Sequence, residues 1–156
     1  MSKDDATKRA QARNTVYRLL KFRIRSEKEI KDKLKAKNVA DELIDETVVY
    51  FKELGLIDDR RFAREWISSR LLKPFGIKRI RHELEIKGID CDILEEELKK
   101  AFQDDREEEI VFQLARNQAE RYKGIDPLKA KQRLFSYLSR RGFNTDVIYK
   151  TIRQLS

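Results

Sequence analysis

The sequence predicts an all-α protein of three tandem three-helix (helix–turn–helix-like) repeats, about nine helices in an elongated or slightly curved array. Three observations carry this. Only five glycines and two prolines punctuate 156 residues, and apolar residues recur at helical rather than alternating spacing. The apolar fraction is 40% against 41% charged, too low for one thick globule and suited to stacked small units. One apolar template also recurs three times, at a period of about 50 residues.

The template is anchored on a short signature: a basic residue, then Gly or Asn, then an apolar residue. It stands at Lys37-Asn38-Val39, Lys87-Gly88-Ile89 and Arg141-Gly142-Phe143. Gly and Asn tolerate the left-handed backbone that ends a helix. Five residues before the apolar anchor stand Leu34, Leu84 and Leu138, and nine before it Ile30, Ile80 and Leu134. Four and five after it stand Leu43-Ile44, Ile93-Leu94 and Val147-Ile148, and nine after it Val48, Leu98 and Ile152. All eighteen positions are apolar, which chance at this composition gives on the order of once in ten million. The expected divisions are residues 1–57 with an N-terminal extension, 58–103 and 104–156, as one continuous modular domain.

The elements follow in order. Each repeat opens with a helix, near Lys8 to Phe22, Asp59 to Leu72 and Asp105 to Tyr122. Ser26-x-x-Glu29 reads as a capping box for the second helix. Ala40 is a poor cap for the third, though Asp41 and Glu42 suit a first turn, and Gly55 ends the repeat. Asp58 or Asp59 caps the helix carrying Phe62, Ala63, Trp66 and Ile67, with Trp66 expected in the core. Pro74 and Gly76 bend the chain before the next helix. Asp90 and Asn144 cap the last helices of the second and third repeats, and Asp126-Pro127 starts the middle helix of the third.

Catalysis finds little support. His82 sits between Arg81 and Glu83 as a surface residue, and one histidine with one cysteine, Cys91, cannot form a Cys₂His₂ site. Neither GxxxxGK[ST] nor GxGxxG occurs. Asp58-Asp59 and Asp104-Asp105 read as caps rather than metal ligands, and Glu95-Glu96-Glu97 and Glu107-Glu108-Glu109 as solvated charge. No enzyme, cofactor or metal is expected. A single cysteine permits no intramolecular disulfide and fits a reducing cytoplasm. Neither a signal peptide nor an apolar stretch near the roughly 20 residues of a membrane span is visible.

Charge points to a partner. The net charge of +8 favours an acidic one, although both signs are interspersed as on an ordinary solvated surface. Lys28, Lys31 and Lys35 share one helix face that avoids Ile30 and Leu34. The matching positions are Lys78, Arg81 and Glu85 in the second repeat, and Gln132, Phe135 and Ser139 in the third, so the stripe fades along the chain. Lys21, Arg23 and Arg25 lead into it, and Arg70, Lys73 and Arg79 surround the Pro74 bend. These eleven basic residues are the candidate partner-binding set. Lacking Asn, Gln or Arg to read base edges, the lysine helix would touch DNA mainly through phosphate.

Several segments resemble the RecX family of bacterial recombination regulators. They are Arg25-Ser26-Glu27-Lys28-Glu29-Ile30 with Leu34 and Lys37, then Gly55-Leu56-Ile57-Asp58-Asp59-Arg60-Arg61-Phe62-Ala63, then Arg70, Gly76, Arg79-Ile80, Leu84 and Lys87-Gly88-Ile89. The Gly-Leu-Ile-Asp-Asp run followed by Phe-Ala is the most specific, the third repeat carries no comparable motif, and Asn38 departs from the usual glycine. The resemblance implies a non-enzymatic modulator, and a cytoplasmic monomer is expected. It implies binding to RecA nucleoprotein filaments that limits their growth, ATP hydrolysis, strand exchange and SOS co-protease function, with single- or double-stranded DNA as a further partner. It brings no site residues as sharp as a catalytic triad. The rival reading is a stand-alone, sequence-tolerant DNA-binding helix–turn–helix protein. A structural adaptor of helical repeats comes after it.

Overall fold

The computed structural model describes residues 2–156, among which the chain forms nine α-helices and no strand. They are α1 (Lys3–Phe22), α2 (Glu27–Ala36), α3 (Asp41–Glu53), α4 (Asp59–Leu71), α5 (Ile77–Ile86), α6 (Cys91–Ala101), α7 (Arg106–Glu120), α8 (Pro127–Arg140) and α9 (Thr145–Leu155). Helix α1 starts earlier than its apolar spacing suggests. Ser2 Oγ accepts the Asp5 N–H at 3.1 Å, and Asp4 and Asp5 lie at the positive end of the helix dipole.

The threefold template is realised in full. Asn38, Gly88 and Gly142 take φ of 59°, 76° and 84°. The Val39 and Phe143 N–H groups return to the Leu34 and Leu138 carbonyls at 3.1 and 3.4 Å, closing the helix ends. None of the template's apolar side chains is exposed; Val39, Leu43, Ile93, Val147 and Ile152 are half-buried and the rest buried. By internal contacts the chain forms two compact units: residues up to Arg64 with Glu85–Leu94, and Glu65–Leu84 with Glu95–Ser156. In the first, α1, α2 and α3 pack mutually around Val16, Ile30, Leu34, Ile44 and Phe51. In the second, α7, α8 and α9 do so around Val111, Ala115, Leu138, Phe143 and Ile148. Each large buried side chain contributes about 1.5–3 kcal/mol.

Most caps stand where the sequence puts them. Asp58 accepts the Arg61 N–H (3.1 Å), Asp90 that of Asp92 (3.1 Å), Asp126 that of Lys129 (3.2 Å) and Asn144 that of Asp146 (2.9 Å). Ala40 makes no side-chain cap. Of the two candidate caps for α4 it is Asp58 that serves, while the Asp59 carboxylate accepts the Glu27 N–H at 2.9 Å. Three expectations need correction. Ser26 accepts the Glu29 N–H at 3.2 Å, but the Glu29 carboxylate pairs with Arg23 and Arg25 rather than turning back to complete a capping box. Asp104 and Asp105 are not capping groups: both take φ of 57°, and Asp105 makes no side-chain bond to α7. Trp66 is half-buried rather than core, and its indole N–H donates to Glu83 at 2.9 Å.

Each compact unit contains one joint between successive repeats, and the two joints share a plan. In the first unit, Ser26 Oγ donates to the Lys87 carbonyl (2.8 Å) and Lys28 Nζ to the Ile86 carbonyl (3.0 Å), while Asp59 holds the Glu27 N–H. A Cβ on Gly88 would come 2.6 Å from Lys28 Cβ. In the second, the Gly76 N–H donates to the Arg141 carbonyl (2.7 Å) and the Lys78 N–H to that of Gly142 (3.0 Å). Glu107 accepts from the Asn144 N–H at 3.1 Å and from the Ile77 N–H. A Cβ on Gly142 would come 2.4 Å from Arg79 Cβ. So the turn of one repeat seats on the start of the preceding repeat's middle helix, beside a carboxylate from its own first helix. Burial pushes both carboxyls, Asp59 and Glu107, above the ordinary range.

Candidate partner-binding surface

Structure sorts the eleven basic candidates into two groups. The arginines are occupied. Arg23 and Arg25 meet Glu29 at 2.5 and 3.5 Å, with Lys87 at 3.6 Å from the same carboxylate. Burial works to raise the Glu29 carboxyl, but the Arg23 hydrogen bond and the charges of Lys87, Arg23 and Arg25 outweigh it and hold it below the ordinary range. Arg70 and Arg79 converge on Glu83 at 2.7 and 3.3 Å, beside the Trp66 indole. The Arg79 guanidinium lies 3.7 Å from the Phe75 ring centroid, and that of Arg70 4.6 Å from Trp66. Burial again opposes ionisation of Glu83, and the bonds from Trp66 and Arg70 overcome it, so its carboxyl is also held down. Arg81 pairs with Glu95 through Nε at 2.7 Å. Lys28 is tied into the first joint. These six side chains shape the fold, and their charge is largely answered within it.

The remaining five lysines are open. Lys21, Lys35, Lys73 and Lys78 are exposed and Lys31 is half-buried. The Lys78 ammonium helps steady the Glu107 carboxylate by its charge. Lys21, Lys31 and Lys35 lie in the first compact unit, Lys73 and Lys78 in the second. The intended stripe of Lys28, Lys31 and Lys35 is thus reduced to Lys31 and Lys35.

Two residues that charge counting missed stand out. Phe22 is 85% exposed and Leu72 is 89% exposed. Counted from the anchors Val39 and Ile89 they hold the same template position at the end of the repeat's first helix, Phe22 as the last residue of α1 and Leu72 just past α4, each followed by a cation, Arg23 or Lys73. A highly exposed Phe or Leu is ordinary once; the same exposure at the same place in two repeats makes the pair a candidate contact point. The available signal was that Phe22 and Leu72 fall outside the eighteen-position template although they are apolar.

Models of three domain types match in succession: "RecX, first three-helix domain" over residues 12–51, the second over 58–98 and the third over 104–152. The regulatory protein RecX of Haemophilus influenzae strain Rd is 33% identical over 142 residues, covering 90% of this chain and 92% of the relative. The chain belongs to the RecX family. A second RecX-family relative, the regulatory protein RecX of Mycolicibacterium smegmatis, is 32% identical over 157 residues, covering 97% of this chain and 82% of its own. The crystal structure of RecX from Lactobacillus salivarius superposes with a TM-score of 0.87 at 26% identity, over 96% of this chain and 97% of that one. RecX is a regulatory family, and the relatives' name describes regulation rather than a reaction. Among the described residues no group of three or more His, Cys, Asp or Glu side chains could hold a metal ion, and no helix is long and apolar enough to cross a membrane.

Proposed function

We propose that this RecX-family chain regulates recombinational DNA repair by binding RecA nucleoprotein filaments. On this reading it inhibits their growth and, with it, ATP hydrolysis, strand exchange and SOS co-protease activity, without catalysis of its own. The observation that carries the reading is the repeated exposed apolar side chain, Phe22 beside Arg23, whose charge is shared with Glu29, and Leu72 beside the open Lys73. A large apolar side chain beside a cation suits a protein surface that offers an apolar pocket with an acidic rim. Two such contacts on linked repeats reinforce each other, because the second forms at high effective concentration. A regularly repeating filament presents suitable sites at fixed intervals.

The test is RecA ATP hydrolysis on single-stranded DNA, titrated with the protein at two salt concentrations. Inhibition well below one molecule per recombinase is expected, weakened about tenfold or more by Phe22→Ser with Leu72→Ser. No inhibition by folded protein in excess would sink the reading. The unengaged Lys21, Lys31, Lys35 and Lys73 favour the second reading, stand-alone DNA binding. That one predicts tight duplex binding without recombinase, falling steeply with salt.

A further inference from the structure

The three repeats place different chemistry at one equivalent surface spot, where the middle helix faces the last. Eight residues before and six after the anchor, the first repeat has Lys31 and Asp45, and the second has Arg81 and Glu95, ion-paired at 2.7 Å. The third has Phe135 and Tyr149, ring centroids 5.1 Å apart and planes tilted by 33°. The second repeat therefore accepts an ion pair at this spot, while in the third Phe135 also packs against the core and Tyr149 lies outside it. Tyr149 is 53% exposed. Beside the rings opens a groove of about 440 Å³, completed by Lys131, Gln132, Ser136 and Ile152.

The surroundings indicate what the groove accepts. Lys131 lies one helical turn before Phe135 on α8, and Arg153 one turn after Tyr149 on α9, both exposed. Each ring thus has a cation on its own helix face. Between Pro127 and Leu155 stand seven basic residues (Lys129, Lys131, Arg133, Arg140, Arg141, Lys150, Arg153) and one acid, Asp146. Gln132 and Ser136 supply neutral donors and acceptors at the groove. An exposed aromatic face, flanking cations and uncharged polar groups together match a nucleobase with its phosphates. A paired duplex base is already stacked and cannot offer its face.

We propose that the Phe135–Tyr149 pair of the third repeat is a stacking site for an unpaired base of single-stranded nucleic acid, with Lys131 and Arg153 on the adjoining phosphates. The site is independent of the filament reading, since it needs no recombinase. The test uses the full chain, fluorescein-labelled twenty-nucleotide oligothymidylate, and an abasic oligomer of equal length that keeps the phosphates. Fluorescence anisotropy should give roughly 5-fold or greater preference for the thymidine strand. Tyr149→Ser should erase that preference while binding to the abasic strand stays unchanged. Phe135→Arg with Tyr149→Glu, which installs the pair the second repeat already carries, should do the same with helicity by circular dichroism retained. Equal binding of both strands by the unmodified chain overturns the proposal and turns the ring pair into an anchor for a protein side chain. A preference that survives both variants overturns it as well, placing base contact elsewhere.

Discussion

At the residue scale, the decisive distinction is between arginines that hold the fold together and lysines left for solvent or a partner. Glu83 accepts from Trp66, Arg70 and Arg79, and hydrogen bonds to charged groups are worth about 1.5–3 kcal/mol each when well formed. Partial exposure lowers that, so Glu83→Gln should cost about 1–2 kcal/mol in a denaturant titration near neutral pH. Its pH dependence has a definite sign. The folded carboxyl lies below its ordinary value, so its contribution is complete above about pH 4.3, the unfolded value, and disappears as pH falls through the folded one. The gap between the two proteins should therefore close in strong acid. Asp59 and Glu107 act oppositely, because their raised carboxyls bind a proton more tightly in the folded chain. Their ionisation costs stability at neutral pH, and that cost is relieved as the medium is acidified through their folded values. Glu107→Gln should accordingly lose its benefit, or gain a penalty, on moving from neutral to mildly acidic pH.

At the element scale, the helices are local and the joints are not. A helix end needs a residue tolerant of positive φ, and either Asn or Gly serves, as Asn38 shows. Gly88 and Gly142 must also admit a neighbouring helix, with no room for a Cβ against Lys28 or Arg79. Gly142→Ala should thus cost about 2 kcal/mol or more, combining backbone strain with loss of the seat on α5. Asn38→Ala should cost less, about 1 kcal/mol, since it meets only the strain. Equal losses in thermal unfolding would show that the joint contributes nothing beyond turn geometry. The periodicity of the sequence revealed all three turns, yet it could not separate Asn38 from the two glycines by role, because only packing between repeats makes the difference.

At the scale of the whole molecule, the net charge of +8 is unevenly available. Charges already paired inside the fold add little to the long-range field, while Lys31, Lys35 and Lys73 remain to steer a partner. Charge reversal at these three should weaken filament inhibition about tenfold or more at low salt and less at high salt, with the melting temperature nearly unchanged. Alanine replacement of Arg70 and Arg79 should do the reverse, lowering the melting temperature before any direct effect on binding appears. If the lysine variant inhibits as well as the unmodified chain, the contact rests on Phe22 and Leu72 alone.

The sequence by itself determined the helical class, the threefold template, the three turns and most helix starts. Those depend on interactions within about five residues: the helical hydrophobic period, a side chain bonding an N–H two or three residues ahead, and a residue able to take positive φ. Pairs such as Arg25–Glu29 and Arg79–Glu83 were within the same reach, one helical turn apart. Tertiary structure decided the rest. It drew Arg70 onto Glu83 and Arg81 onto Glu95, and sent Asp59 to the start of α2 instead of capping α4. It also left Phe22 and Leu72 in solvent. The physical reason is range: which charges are answered and which apolar groups are covered depends on neighbours that only folding brings together, and a linear pattern records a side chain's chemistry but not its company.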